Sequence, residues 1–180
     1  MGAWTDLFAE VARTRYSSLV AYGVLLTSNR ADAQDLVQDA MVKVFSRVRP
    51  LPNAAAADQY IRKAVYTLYL DENRRHSTAH KARGALVDRE HEPDAADTVA
   101  AGADVRAALA LLSPQERACV VLRYFDDYTV PRISQELGLA EGTVKRYLSD
   151  AQAKLCNELA PGHSRTERIP VVPPQGGTHA

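Results

Sequence analysis

The chain has 180 residues, of which 46% are hydrophobic and only 7% aromatic, so it can form one large or two small domains with mainly aliphatic cores. Its 22 basic and 22 acidic residues give a net charge of zero, which argues against a protein that grips nucleic acid alone by charge. No apolar run approaches the ~20 residues that span a bilayer. Asp6 and Glu10 interrupt the apolar stretch that a signal peptide would need near the start of the sequence. We therefore expect a cytoplasmic protein that is not inserted in a membrane.

The cysteines and histidines do not predict a metal site. Cys119 and Cys156 have no CxxC or His-rich spacing and fall on apolar faces of predicted helices, so we expect buried, reduced thiols. His76 and His80 are four residues apart, with His91 nearby, but they lack an acidic or cysteine partner at a suitable spacing. No phosphate-binding loop or nucleophile motif is present, so we expect no metal, no cofactor and no enzymatic activity.

The first two helical segments lie between residues 5 and 47. Apolar residues recur at helical spacing over residues 5–27, with a break near residues 13–17. A turn at residues 28–30 separates this segment from a helix that starts at Ala31 or Asp32 and runs to about residue 47. The residues expected on the core side of that helix are Leu36, Val37, Ala40, Val44 and Phe45.

A third helix, which Asp58 is expected to cap, runs to about Arg75 and completes a first domain over residues 1–78. Its inward residues are Ile61, Ala64, Val65 and Leu68. Basic and aromatic residues interleave off that face, a combination that holds single-stranded DNA because cations bind phosphates and rings stack on unpaired bases. An ordinary basic helix with core tyrosines remains the alternative.

Residues 79–103 are the predicted linker, rich in Ala, Asp and Glu, with Pro93 and no large apolar face. Such a composition is typical of a solvated tether, which can be partly helical. A second domain follows over residues 104–160. The Pro/Gly-rich residues 161–180 are expected to be a disordered tail.

The second domain contains a predicted helix-turn-helix. Ser113 and Glu116 form a capping box before one helix, with Pro114 at its first position. Thr129 caps the next helix, and Gly138 ends it at a position that needs a left-handed residue. The following helix turns apolar residues inward and polar residues outward, as a helix in the DNA major groove does. Its inward residues are Val144, Leu148, Ala151 and Leu155.

Three motifs in this order resemble the extracytoplasmic-function sigma factors of bacterial RNA polymerase, over about residues 5–158. The first is DAQDLVQD at residues 32–39, and the second is YIRKAVYTLYLDENRR at residues 60–75. The third runs over residues 113–155 and contains LGLAEGTVKRYL. The resemblance implies an all-α fold of two small helical domains joined by a flexible linker, the second containing the helix-turn-helix.

The resemblance also implies partners and binding residues. The protein would bind core RNA polymerase and promoter DNA, duplex at the minus-35 element and single-stranded at the minus-10 element, and an anti-sigma factor would regulate it. The polymerase-binding residues would be Asp35, Leu36, Gln38, Asp39, Val42 and Phe45. The minus-10 residues would be Asn53, Arg62, Lys63, Tyr66, Thr67, Tyr69, Asn73, Arg74 and Arg75. The minus-35 residues would be Arg123, Arg132, Glu141, Thr143, Lys145, Arg146 and Ser149.

Some positions depart from the family pattern. Thr67 stands where the family often has Asn, and Arg146, Tyr147 and Asp150 replace Ser, Arg and Arg in the recognition helix. Asp150 removes a charge that favours phosphate, so we expect an unusual minus-35 preference. By the resemblance, the acidic linker would thread near the polymerase cleft.

Other classes of protein remain as alternatives. A stand-alone helix-turn-helix regulator would bind DNA without polymerase. Such a regulator would carry an N-terminal receiver or ligand-binding domain, and the sequence shows no βαβ alternation of the kind that a receiver domain needs. An anti-sigma factor or adaptor would not need both DNA-facing helices.

Overall fold

The computed structural model describes residues 3–46, 51–83 and 100–159, and all regular structure over these ranges is α-helical. This confirms the predicted all-α class. The helices are α1 (Ala3–Thr14), α2 (Tyr16–Thr27), α3 (Arg30–Phe45), α4 (Ala54–Arg83), α5 (Ala100–Ala110), α6 (Pro114–Tyr124), α7 (Val130–Leu137) and α8 (Glu141–Leu159).

The break expected near residues 13–17 occurs at Arg15, where α1 gives way to α2. Helix α2 ends at Ser28, which has a left-handed φ of 63°. The side chain of Asn29 then caps α3 by accepting hydrogen bonds from the amides of Ala31 and Asp32. Gly23 lets α2 and α3 approach closely, because a Cβ atom there would lie 3.1 Å from that of Ala33.

Helix α4 begins earlier and ends later than expected. Asn53 caps it, with its Oδ1 accepting from the amide of Ala56 at 2.9 Å, so the prediction that Asp58 is the cap was wrong. Asp58 lies in the second turn and pairs with Arg62 instead. The helix continues to Arg83 because residues 76–83 contain no glycine or proline to stop it. Both ends of the predicted linker are thus helical, while residues 84–99 lie outside the described residues, as does the tail at 161–180.

Local signals in the C-terminal half place its helices as expected. The Ser113 side chain accepts from the Glu116 amide, and the Glu116 carboxylate accepts from the Ser113 amide at 2.8 Å, which completes the capping box. The same carboxylate holds Lys154 of α8 at 2.7 and 2.9 Å. This pair ties the start of α6 to the last turns of α8.

Helices from the two halves of the chain share one core. Leu19 of α2 and Ile61 of α4 belong to the same buried cluster as Leu122 of α6 and Ile133 of α7. Cys119 is fully buried in this cluster, and burial raises the pKa of its thiol to about 12. Cys156 is exposed, so the prediction of a buried thiol there was wrong. It follows Leu155 by one residue, which turns it about 100° away from the apolar stripe of α8.

Candidate nucleic-acid interface

Helices α7 and α8 form the helix-turn-helix. Thr129 accepts from the Arg132 amide to start α7, and Gly138 ends the helix with a φ of 64°. The Ser134 hydroxyl donates to the carbonyl of Leu139 and closes the turn. Ile133 and the Val144 side chain of α8 are fully buried, which fixes the angle at which α8 leaves the turn.

The outward face of α8 carries the predicted minus-35 residues. Lys145, Arg146 and Ser149 are exposed, and the Arg146 guanidinium lies 5.4 Å from the centre of the Tyr147 ring. Glu141 is exposed at the first position of the helix, while Thr143 is half-buried. These side chains can reach an external partner without any change in the packing of the core.

The two arginines predicted to contact phosphate are held by the protein itself. Arg123 donates to the carbonyl of Tyr128 at 2.9 Å. Arg132 pairs with Glu136 at 2.6 Å, and its guanidinium lies over the Tyr128 ring. Both side chains remain exposed, so they can present a remaining donor to DNA while they brace the loop before α7.

The tyrosines of α4 do not lie where the sequence analysis placed them. Tyr66 is 2% exposed and Tyr69 is 6% exposed, so the prediction that their rings face outward to stack on bases was wrong for this conformation. Tyr66 packs under helices from the C-terminal half, which the spacing within α4 could not reveal. The alternative of core tyrosines describes both residues better.

Two carboxylates from the C-terminal half occupy the basic face of α4. Glu136 of α7 accepts from Lys63 and from the Tyr66 hydroxyl, each at 2.7 Å. Asp126, in the α6–α7 loop, accepts from the Tyr22 hydroxyl at 2.8 Å and from Arg62 at 3.3 Å. Three of the predicted minus-10 residues are therefore engaged within the chain.

The two carboxylates differ electrostatically. Burial opposes ionisation of Glu136, but the hydrogen bonds from Lys63 and Tyr66 and the charges of Lys63 and Arg132 prevail and lower its pKa. Burial raises the pKa of Asp126 despite its bonds to Tyr22 and Arg62, and the nearby Asp58 raises it further. The partners of Glu136 thus outweigh its burial, whereas burial outweighs the partners of Asp126.

The remaining predicted minus-10 residues line the same helix or its start. Asn53 is exposed but engaged as the cap of α4. Thr67 and Asn73 donate to carbonyls of their own helix, at Lys63 and Tyr69. Arg74 and Arg75 are exposed.

The exposed face of α3 carries most of the predicted polymerase-binding residues. Asp35, Gln38 and Asp39 are exposed, and Val42 is 66% exposed, which is unusual for an apolar residue in this core-forming helix. Leu36 and Phe45, which the resemblance also assigns to this surface, are buried and support the exposed face from beneath. Phe45 packs edge-on against the rings of Trp4 and Phe8.

Sequence reasoning missed the residues that join the two halves. Besides Asp126 and Glu136, Arg117 of α6 donates to the carbonyl of Leu26 at 2.6 Å and to the Ser28 hydroxyl at 3.1 Å, at the carboxyl end of α2. Pairs within one helix, such as Arg132 with Glu136 or Arg62 with Asp58, could be read from their i, i+4 spacing. The other contacts bridge residues far apart in sequence.

No cluster of His, Cys, Asp or Glu able to hold a metal ion occurs among the described residues. None of the described helices is long and apolar enough to cross a membrane.

Comparison with known proteins agrees with this architecture. The family model for sigma-70 region 4 matches residues 103–155. The RNA polymerase sigma-E factor of Streptomyces avermitilis is 32% identical over 157 residues, covering 84% of each chain. The extracytoplasmic-function sigma factor SigM of Mycobacterium tuberculosis is 30% identical over 152 residues, covering 84% of this chain and 76% of the relative.

A solved structure is similar in fold. The sigma factor RpoE of Bartonella quintana, in complex with the anti-sigma factor NepR, has a TM-score of 0.56 and 20% identity, covering 84% of this chain and 95% of that one. At that identity the likeness concerns the fold alone. The relatives at 30% identity or more are matched over most of their length, and the chain therefore belongs to the extracytoplasmic-function sigma factors of bacterial RNA polymerase.

Proposed function

We propose that this sigma factor binds core RNA polymerase in the cytoplasm, recognises the minus-35 and minus-10 elements of a specific set of promoters, and starts transcription from them. The observation that carries this proposal is the outward face of α8, where Lys145, Arg146 and Ser149 stand exposed on a helix fixed by the buried Val144. Arginine and lysine on such a face can donate to guanine edges or phosphates.

In this proposal α3 docks on the polymerase. Its exposed face combines the carboxylates of Asp35 and Asp39 with the apolar Val42, and a polar rim around an apolar anchor suits a protein interface. Since the chain has no net charge, polymerase would supply much of the non-specific grip on DNA.

Helix α4 takes the melted minus-10 strand. Arg62, Lys63, Arg74 and Arg75 line it as phosphate ligands, and Asn53 starts it next to the loop that would receive a flipped base. The buried rings of Tyr66 and Tyr69 can stack on bases only if the contacts with the C-terminal half are released. We also propose an anti-sigma factor as regulator, since the Bartonella sigma factor was solved with one.

The experiment that tests the proposal is reconstitution with bacterial core polymerase, followed by transcription from a library of genomic fragments. The double variant Asp35→Arg/Asp39→Arg should lose binding to core while it unfolds like the wild type. The matched control is Asp6→Arg/Glu10→Arg, which makes the same charge change on exposed positions of α1. Equal binding by both variants would refute docking through α3. Duplex binding without any binding to core would point to a stand-alone regulator.

A further inference from the structure

The basic face of α4 is already occupied by acidic groups of the same chain. Glu136 receives three donors, Lys63 at 2.7 Å, Tyr66 at 2.7 Å and Arg132 at 2.6 Å, and only 7% of its side chain is exposed. Asp126 takes the neighbouring donors, Arg62 and Tyr22. These are the charges and hydrogen-bond geometry with which cationic and hydroxyl groups bind a phosphate.

We propose that Glu136 and Asp126 are internal substitutes for DNA phosphates, so that the free chain blocks its own single-strand-binding face until α4 separates from α6 and α7. The inference rests on the proposed function of α4 as the holder of the minus-10 strand. It adds that this site has a built-in competitor, which DNA and polymerase must displace together.

Geometry keeps DNA from the Tyr66 side chain while the two halves are docked. The Tyr66 hydroxyl donates its single hydrogen to the same Glu136 oxygen that pairs with Lys63, so a phosphate cannot take that hydroxyl while the oxygen is in place. The ring of Tyr66 is buried beneath the same contact, so no base can stack on it. Arg62 is shared between Asp58 of its own helix and Asp126, and its guanidinium lies 4.8 Å from the centre of the Tyr22 ring.

A second contact reinforces closure at the other end of the interface. Arg117 donates to the carbonyl of Leu26 and to Ser28, where α2 ends. The carbonyls at a helix carboxyl end carry partial negative charge, which favours a cation there. Closure is therefore held at two separated places, with apolar side chains of α2, α4 and α6 packed between them.

Glu136 and Asp126 should contribute unequally to the stability of the closed chain. Glu136 binds two cations that are themselves about half exposed, with side-chain exposures of 56% for Lys63 and 55% for Arg132. Its partners therefore lose little hydration when they bind it. Asp126 is 9% exposed and faces Arg62, which Asp58 already neutralises. Glu136 is the stronger of the two substitutes for this reason.

The test measures opening without DNA or polymerase. Spin labels on the native Cys156 and on an introduced Ser17→Cys, both exposed, report the distance between α8 and α2 in the full chain. All proteins carry Cys119→Ala so that only these two thiols react. Glu136→Gln should raise the ratio of open to closed chains about tenfold or more, since the carboxylate charge that holds Lys63 and Arg132 is lost. Glu158→Gln, which makes the same charge change on an exposed position of α8, should leave the ratio unchanged.

Exchanging the two charges distinguishes specific opening from a general loss of folding. Glu136→Lys should open the chain further, and adding Lys63→Glu should close it again, because the pair is restored in reverse. A short labelled single-stranded oligonucleotide should bind Glu136→Gln at least several-fold more tightly than it binds the wild type or Glu158→Gln.

The outcomes separate this inference from the proposed function. An open wild-type chain, or the same distance distribution in wild type, Glu136→Gln and Glu136→Lys, would overturn the inference. Opening by Glu136→Gln without any gain in single-strand affinity would also overturn it. A chain that closes through Glu136 but never binds polymerase would instead refute the proposed function.

Discussion

The hydroxyl of Tyr66 donates to Glu136 across a separation of 70 residues in the chain, at 2.7 Å. It joins α4 to α7 and buries an aromatic ring that the sequence alone would present to DNA. The phenol is held as a donor, because burial and the Glu136 carboxylate both raise its pKa. At neutral pH the contact therefore joins a neutral phenol to an ionised carboxylate.

Removing this hydroxyl should weaken the fold. Tyr66→Phe keeps the ring but leaves Glu136 with one donor fewer, and we expect the free energy of unfolding to fall by about 1 kcal/mol. Urea denaturation of the full chain measures this directly. Tyr124→Phe, at a position 66% exposed, is the control and should change stability by less than about 0.5 kcal/mol. Equal effects of the two variants would mean that the Tyr66 contact adds nothing to stability.

Arg146 should determine a base of the minus-35 element. Arg146→Ala should cost about 1–3 kcal/mol in binding of the holoenzyme and relax preference at one position. Lys145→Ala serves for comparison, because a phosphate ligand weakens binding on all sequences alike. Selection from a randomised minus-35 duplex library distinguishes the two patterns. A uniform loss for Arg146→Ala would reassign that residue to the DNA backbone.

Asp150 should reduce the affinity of α8 for DNA. It is exposed on the recognition helix, where a carboxylate repels phosphates. Asp150→Asn should strengthen binding to duplexes of any sequence, and the gain should shrink as salt rises because screening weakens the repulsion. Affinity titrations at two salt concentrations measure the effect, with Glu158→Gln at the far end of α8 as the control. A gain confined to one promoter sequence would contradict this electrostatic explanation.

Arg117 should be irreplaceable by lysine. One guanidinium nitrogen donates to both the Leu26 carbonyl and the Ser28 hydroxyl, and a second nitrogen donates to the Leu112 carbonyl. A lysine ammonium cannot span these positions, and we expect Arg117→Lys to lower the free energy of unfolding by about 1–3 kcal/mol. Thermal and urea unfolding would measure it, with the exposed Arg75→Lys as control. A loss no larger than that of the control would show that one carbonyl contact suffices.

Stability should fall in acid through Glu136. Lys63 and Arg132 face this carboxylate as cations and Tyr66 as a neutral donor, and they hold its pKa below the ordinary value of 4.5 although burial opposes them. A carboxyl with a lowered folded-state pKa stabilises the fold above its unfolded pKa and loses that contribution as pH falls through the folded value. The free energy of unfolding should therefore decline below about pH 4.5, and less steeply in Glu136→Gln.

Other carboxyls set the background for that measurement. Glu116 also has a lowered pKa, since Lys154 and the Ser113 amide outweigh its burial, so part of the acid decline remains in the variant. Asp126 has the opposite sign: its raised pKa means that its contribution is present at low pH and is lost as pH rises through the folded value. An identical pH profile in wild type and Glu136→Gln would refute the role of Glu136.

Local signals predicted the elements well, because their causes are local. The break at Arg15, the capping box of Ser113 and Glu116, and the left-handed Gly138 each depend on neighbours within a few residues. The outward face of α8 followed from its apolar period alone. The end of α4 was predicted too early, because residues 76–83 have no strong apolar period but also no glycine or proline that would end the helix.

The surroundings of α4 could not be predicted in the same way. Tyr66 is 2% exposed and donates to Glu136 of α7, a contact that no spacing within α4 indicates. Lys63 and Glu136 are charges of opposite sign with no spacing that links them. Their pairing depends on how the N-terminal and C-terminal helices dock on each other. The apolar period of a helix does not specify that docking.

The two thiols of the chain give a chemical indicator of its state. Cys119 is fully buried in the shared core, and this burial raises the pKa of its thiol, so a thiolate-selective reagent at neutral pH should leave it untouched while the halves are docked. Cys156 is exposed and should react in every state, which makes it an internal standard. The rate at which Cys119 is modified relative to Cys156 would thus measure how often the two halves of the native, unlabelled protein separate.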